Sequence, residues 1–284
     1  MTTFRSHSLS SSVHALLFAG LLLLQLPSAA HGQNGPPESN ASPQNATSAD
    51  LHPVLVELFT SEGCSSCPPA DALLEKMDAQ PIPGLELIVL SEHVTYWDHD
   101  GWKDPNSSSE LTDRQSSYEE ALGLKTPYTP QIIVDGTSVL KVGDRQQAED
   151  IFEKEKVTTK VPIRIDQLRV KSGNPSVLDA RIEADANPEK HAADVYVAIA
   201  LDRVESQVLH GENSGRHLVH VAVVQQFTKV GKLEKGKNFD HTVQLRLKPG
   251  EDPKNLRIIA FVQESGPGKG PGKVLGAALR KLAS

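Results

Sequence analysis

Between Val54 and Val94 the sequence lays out a unit that few folds accommodate. VLVELFT, from Val54 to Thr60, is a short apolar run, and SEGCSSCPP is a turn. Ala70, Leu73, Leu74 and Met77 then fall at i, i+3, i+4 and i+7, one face of an amphipathic helix that Pro81, Pro83 and Gly84 stop. LELIVLSEHV, residues 85–94, is almost continuously apolar, as a strand covered on both faces should be. Two such strands joined through a helix imply parallel pairing and a right-handed crossover. The turn holds Cys64 and Cys67, the only two cysteines of the chain, so whatever they do they do together.

The rest of the chain divides around this unit. Residues 95–125 read as an insertion with its own helix, started by the capping-box spacing of Ser107 and Glu110 and packed through Leu111, Tyr118 and Leu122. QIIVDG then predicts a third strand, with Asp135-Gly136 turning it back into SVLKV. Asp144 and Gln147 predict the start of a last helix, whose stripe is Ala148, Ile151 and Phe152. Residues 51–158 therefore read as an α/β domain in the order β-α-β, insertion, β-β-α. From Val161 to about Gln263 alternation dominates, as at Val195, Val197, Ile199 and Leu201, or Leu256, Ile258, Ala260 and Val262. Residues 160–284 thus predict a mostly β, sandwich-like domain ending in a Gly-rich loop and a short tail.

Residues 1–30 have an apolar run from Ala15 to Leu26 followed by small residues, with Ser28 and Ala30 placed as in a signal-peptidase site. Residues 31–50, rich in Pro, Gly, Ser and Asn, read as a flexible linker. The expectation is an exported protein, periplasmic or extracellular, in an oxidising compartment where a vicinal cysteine pair persists as a disulfide. With 38% hydrophobic and 23% charged residues the chain is neither wholly disordered nor a multi-span membrane protein. No membrane span is expected in the mature chain. A net charge of −7, without a Lys/Arg stripe, argues against nucleic acid as partner.

Two cysteines three apart at a helix start can close a small disulfide ring. Cys64, expected to be exposed at the turn, would be the nucleophile, its thiolate favoured by the helix dipole and unpaired amides; Cys67 would resolve the mixed disulfide. Glu62, two residues before, opposes that thiolate. The same pair is also compatible with a permanent structural staple, half of a metal site, or two inert thiols. His93, Asp98, His99 and Asp100 are the residues that would complete a metal site, but their spacing matches no strong metal pattern, and neither a metal nor a cofactor is implied. Trp97 and Trp102, the only tryptophans, with His93 and Tyr128, are candidates for the rim of a substrate groove; the plainer reading is that the tryptophans pack the insertion. Gly211 to His220 reads as a long hairpin, or as a contact surface carrying Arg216.

Strand, CxxC, helix, strand, then Tyr128-Thr129-Pro130 leading into a hairpin and a helix resembles the thioredoxin fold. The resemblance implies that Pro130 is a cis-proline beside the dithiol and that the backbone of Thr129 pairs with a bound peptide. ELFTSEGCSSCPPAD, HVTYWDHDGWKDP, YTPQIIVDG and HGENSGRHLVH are similar to a family of exported thioredoxin-like proteins catalogued as a domain of unknown function, over most of residues 54–263. That similarity implies a thioredoxin-like α/β fold. It also implies a thiol–disulfide oxidoreductase acting on protein thiols or disulfides with a redox partner protein. The alternatives are a non-catalytic partner-binding module with a structural disulfide, or a copper-handling chaperone. Ser-Ser between the cysteines, Pro68-Pro69 after them and the long insertion before Pro130 depart from the well-studied thioredoxins.

Overall fold

Strand β1 (His52–Thr60) sorts its side chains by parity. Val54, Val56 and Leu58 pack beneath helices α1 (Pro68–Ala79) and α3 (Arg145–Glu155), through Ala70, Leu74 and Phe152. Leu55 and Phe59 point the other way, where helix α2 (Ser109–Leu122) brings Leu111 against the one cluster and Tyr118 against the other. The computed structural model describes residues 51–99, 101–173, 175–189, 191–265 and 270–282; the expected leader, 1–30, and linker, 31–50, lie outside them.

Strand β2 (Leu85–His93) runs parallel to β1, residue for residue from His52–Leu85 to Thr60–His93. β3 (Gln131–Val134) lies antiparallel on the other side of β1 and turns into β4 (Ser138–Leu140). That turn puts both Asp135 and Gly136 in the left-handed region, φ 46° and 73°. Gly136 has a second reason to be glycine: a Cβ there would lie 2.1 Å from the Gly272 carbonyl oxygen. Helix α3 starts as expected, Asp144 Oδ1 accepting from the Gln147 amide at 3.0 Å. Helix α2 starts one residue late: Ser108 is its cap, and the Ser107 hydroxyl donates instead to Asp98 at 2.8 Å.

The second half of the chain contributes β5 (Ile163–Lys171), β6 (Val177–Ala184), β7 (Ala193–Gln207), β8 (His217–Leu233), β9 (Phe239–Arg246), β10 (Leu256–Ser265) and β11 (Pro271–Lys281). Their arrangement corrects the predicted fold class. Instead of a thioredoxin-like α/β domain followed by a sandwich, the molecule is mostly β. A mixed eight-stranded sheet runs β11-β10-β7-β8-β2-β1-β3-β4, beside a three-stranded sheet β5-β6-β9, with three α-helices among the described residues. The sheet does not end at β2, because its free edge takes β8 in parallel at Ser91–Val223. β8 pairs with β7 from Ala193–Leu233 to Gln207–His217, and β10 and β11 extend the sheet antiparallel.

Alternation misled for a physical reason. Val195, Val197 and Ile199 do face the small sheet, where Leu178, Ala180, Ile182, Val243 and Leu245 cover them. The residues between them are buried as well: Ala198 and Ala200 pack with Leu55, Ile88 and Phe261 on the opposite face. Small alanines hid a second buried face, so a central strand looked like a half-exposed one.

Candidate functional site

The cysteine turn lies where β1 ends and α1 begins. Cys64 and Cys67 are joined as a disulfide, with Cα atoms 5.4 Å apart. The Cys64 amide donates to Ser61 O and the Cys67 amide to Cys64 O, both at 3.2 Å, so the four residues form a closed turn. Both cysteines are wholly buried, against the expectation of an exposed Cys64; Ser65 and Ser66 form the exposed edge. The helix start offers the sulfurs little. Pro68 and Pro69 have no N–H, and the amides of Ala70 and Asp71 donate to the Cys67 carbonyl at 2.8 and 3.1 Å. Amide stabilisation of a thiolate is correspondingly weak.

The structure places the other predicted residues around this turn in different roles. The Thr129–Pro130 bond is cis. The Ser66 hydroxyl lies 3.4 Å from Cys64 Sγ and donates to the Thr129 carbonyl at 3.5 Å, joining the turn to the strand that carries Pro130. Trp97 is half-buried; its indole N–H donates to Thr129 Oγ1 at 2.8 Å, and its Cβ would stand 3.1 Å from any Cβ at Gly63. Tyr128 is 43% exposed, its carbonyl held by the Gln115 amide at 2.9 Å. Trp102 donates to Glu62 Oε2 at 2.8 Å. His93 is wholly buried behind the turn rather than in an open groove. Asp98 accepts from Ser107 and from the Asp104 amide. Asp100 lies outside the described residues. Among the described residues no three His, Cys, Asp or Glu side chains converge so as to hold a metal ion.

Several residues that the sequence left unassigned build the site. Asn213, fully buried, donates through Nδ2 to the carbonyls of both Glu62 and Cys64, at 2.9 Å each. Its neighbour Glu212 accepts from the Ser65 amide at 3.1 Å, and hydrogen bonding from Ser65, by its side chain first and its amide second, lowers the Glu212 pKa. Glu212 and Asn213, rather than Arg216, bring the loop between β7 and β8 onto the turn. The buried Glu62 carboxylate is shared by Trp102 and by Ser206 Oγ, at 2.6 Å, while its amide donates to Asp104 Oδ2 at 2.8 Å. Asp104 also takes His93 Nδ1 at 2.7 Å. Burial opposes the Asp104 charge, but His93 and the amides of Glu62 and Asn106 prevail and bring its pKa down to about 2. For His93 burial likewise works against the charge; Asp104, Asp71 and Glu62 outweigh it, and the net shift is upward. Of these partners only Asp71 had a local signal, one helical turn after Cys67; the others come from far along the chain.

The sequence pattern of a family described as a protein of unknown function, DUF1223, matches residues 55–263. A protein of Agrobacterium tumefaciens with a crystal structure is 30% identical; the match covers 80% of this chain and 92% of that one, with a TM-score of 0.60. HBP35 of Porphyromonas gingivalis, at 15% identity, is similar in fold over 81% of this chain and 75% of its own, with a TM-score of 0.59. No curated protein matches the sequence.

Proposed function

The chain belongs to the DUF1223 family, whose function is unassigned, and on that footing we propose that it is an exported protein that exchanges thiols and disulfides with other proteins through Cys64 and Cys67. One observation carries this reading. The hydroxyl of Ser66, an exposed residue, lies 3.4 Å from Cys64 Sγ. A rotamer change at this surface serine releases its contacts to the sulfur and to the Thr129 carbonyl, the two groups an incoming chain would engage. Trp97 and the exposed Tyr128 flank that approach. The export part of the proposal rests on the leader-like residues 1–30 alone.

The full burial of both cysteines favours a second reading, a non-catalytic binding module whose disulfide is a staple clamped by Asn213. The copper-handling reading lacks a converging third ligand among the described residues. Equilibrating residues 31–284 with glutathione buffers, then alkylating and counting labelled cysteines by mass, separates the first two. Exchange without denaturant is expected, at the reducing end of the dithiol range, about −270 mV. The carboxylates of Glu62 and Glu212 and the two prolines disfavour a thiolate, which makes the pair a weak oxidant. Cysteines that label only after denaturation, or a potential below about −300 mV, would leave the staple.

A further inference from the structure

An exchanging pair, the reading on which this inference rests, raises a proton problem. When the disulfide closes, Cys67 must lose a proton before its sulfur attacks, because the thiolate is the nucleophile. Cys67 is wholly buried, so bulk water does not reach it, and the first turn of α1 has no free amide to stabilise the anion. The acceptor has to be a side chain.

Such side chains are present. Asp71 is one helical turn after Cys67, on the buried face of α1, where positions i and i+4 stand about 5–6 Å apart. Its Oδ1 accepts from Thr60 Oγ1 at 2.8 Å, and its Oδ2 has no hydrogen-bond partner among the described residues. His220 of β8 is 1% exposed, and neither ring nitrogen is hydrogen-bonded among the described residues; Nδ1 lies 3.6 Å from Asp71 Oδ1. Its ring meets that of His93 edge-on at 4.7 Å, and His93 Nε2 is unpartnered in the same way. Native structures satisfy some nine in ten buried polar groups, so several open valences in one place ask for an explanation. We infer that Asp71 and His220 form a buried proton relay serving the Cys67 thiol, with the Asp104–His93 pair as the fixed wall against which His220 is positioned.

The step balances without another reagent than the substrate, a protein or small-molecule disulfide. The Cys67 S–H bond breaks and its proton passes to Asp71 and His220. The sulfur's electron pair forms the bond to Cys64 Sγ. The bond between Cys64 and the substrate sulfur breaks, and its electron pair leaves on the substrate, which takes up a proton. The dithiol is oxidised by two electrons and the substrate disulfide is reduced to two thiols. Asp71 on α1 and His93 on β2 face His220; Asp104 in the loop after β2 and Glu62 in the cysteine turn act on His93, and Glu75, a turn further along α1, is paired at the surface with Arg203 of β7 at 2.7 Å.

The test mixes reduced residues 31–284 with glutathione disulfide, quenches in acid from pH 6 to 9.5, and counts the Cys64–glutathione adduct and the closed disulfide by mass. In His220→Gln, closure near pH 7 should slow at least tenfold, within the range of general base catalysis, and the adduct should accumulate. The deficit should vanish by pH 9.5, where the thiol ionises unaided. Asp71→Asn should give the same profile and serves if His220→Gln does not fold. Closure that is unchanged, or slowed equally at every pH, overturns the relay while leaving exchange intact. A wild-type protein that forms neither adduct nor closed disulfide overturns the exchange reading first, and the relay with it.

Discussion

Glu92 and His93 are consecutive residues of β2, both wholly buried, and they enter two different kinds of polar cluster on opposite faces of one sheet. On the α2 face, Arg114 centres a network in which the cation is paired. Its guanidinium pairs with Glu57, reaches Gln263 at 3.2 Å and the Tyr118 hydroxyl at 3.1 Å, and lies 4.4 Å from the Phe227 ring centroid. The Tyr118 hydroxyl donates to Glu57. Glu92 lies 3.7 Å from the same guanidinium; burial followed by repulsion from Glu57 pushes its pKa well up against the pull of Arg114, and neither carboxyl oxygen is hydrogen-bonded among the described residues. On the α1 face, His93 is anchored to Asp104, but beyond that pair Asp71 and His220 keep open valences. A network that satisfies its central cation rigidifies its surroundings; the relay uses the open valences of Asp71 and His220. The first kind stabilises the sheet, the second backs the disulfide.

The largest effect should come from removing the cation at the centre of the Arg114 network. Arg114→Met leaves Glu57 buried without its cation, and loss of one partner of a buried pair costs about 3–5 kcal/mol. Denaturant unfolding should show this, while disulfide exchange per folded molecule stays unchanged. Equal losses in both would break the division of labour between the two faces.

A smaller, pH-dependent effect should mark the other face. Asp104, held at about 2 against an ordinary 3.8, contributes fully above its unfolded value and loses that contribution as pH falls through the folded one. His93, shifted upward, contributes fully below its unfolded value of 6.5 and loses this as pH rises through its raised folded value. The pair therefore stabilises most between pH 3.8 and 6.5. Asp104→Asn should remove about 2 kcal/mol at pH 5.5 and flatten the acid limb of a stability-against-pH curve. A curve of unchanged shape would mean that the pair does not hold this face. The smallest effect belongs to the fully exposed Glu212. Glu212→Ala should leave the thermal midpoint in place yet speed reduction by dithiothreitol, because the Ser65 amide loses its acceptor.

The local elements were legible. β1, α1, β2, β3 and the Asp144-capped α3 were written in residues within a few positions of one another, as apolar runs, caps and stops. The join of the two halves was not, because one parallel bridge at Ser91–Val223 imposes no period on either strand. β11 reads as a short tail in the sequence because Gly276, Ala277 and Ala278 present no alternation. Yet a Cβ at Gly276 would meet the Val161 carbonyl oxygen at 2.1 Å, so backbone approach replaces side-chain pattern there. At the site, the cysteine pair and the residues beside Pro130 could be read from the sequence. Asp104 and Asn213 could not. In sequence they are an insertion aspartate and a turn former, and only the fold shows that their side chains end on the Glu62 amide and the Cys64 carbonyl.

Asn213 also sets a timetable. It reaches the Cys64 carbonyl from 149 positions further along, in the connection between the two longest strands. In a chain that emerges from its N-terminus, β1, the cysteines and α1 are all out before that asparagine arrives. Contacts of such long sequence separation form late. The two thiols therefore meet whatever oxidant or partner the compartment holds while their turn is still unclamped. The clamp closes over a bond whose pairing has already been decided, and the nascent chain offers its cysteines more openly than the finished molecule, where the Ser66 hydroxyl stands against Cys64 Sγ.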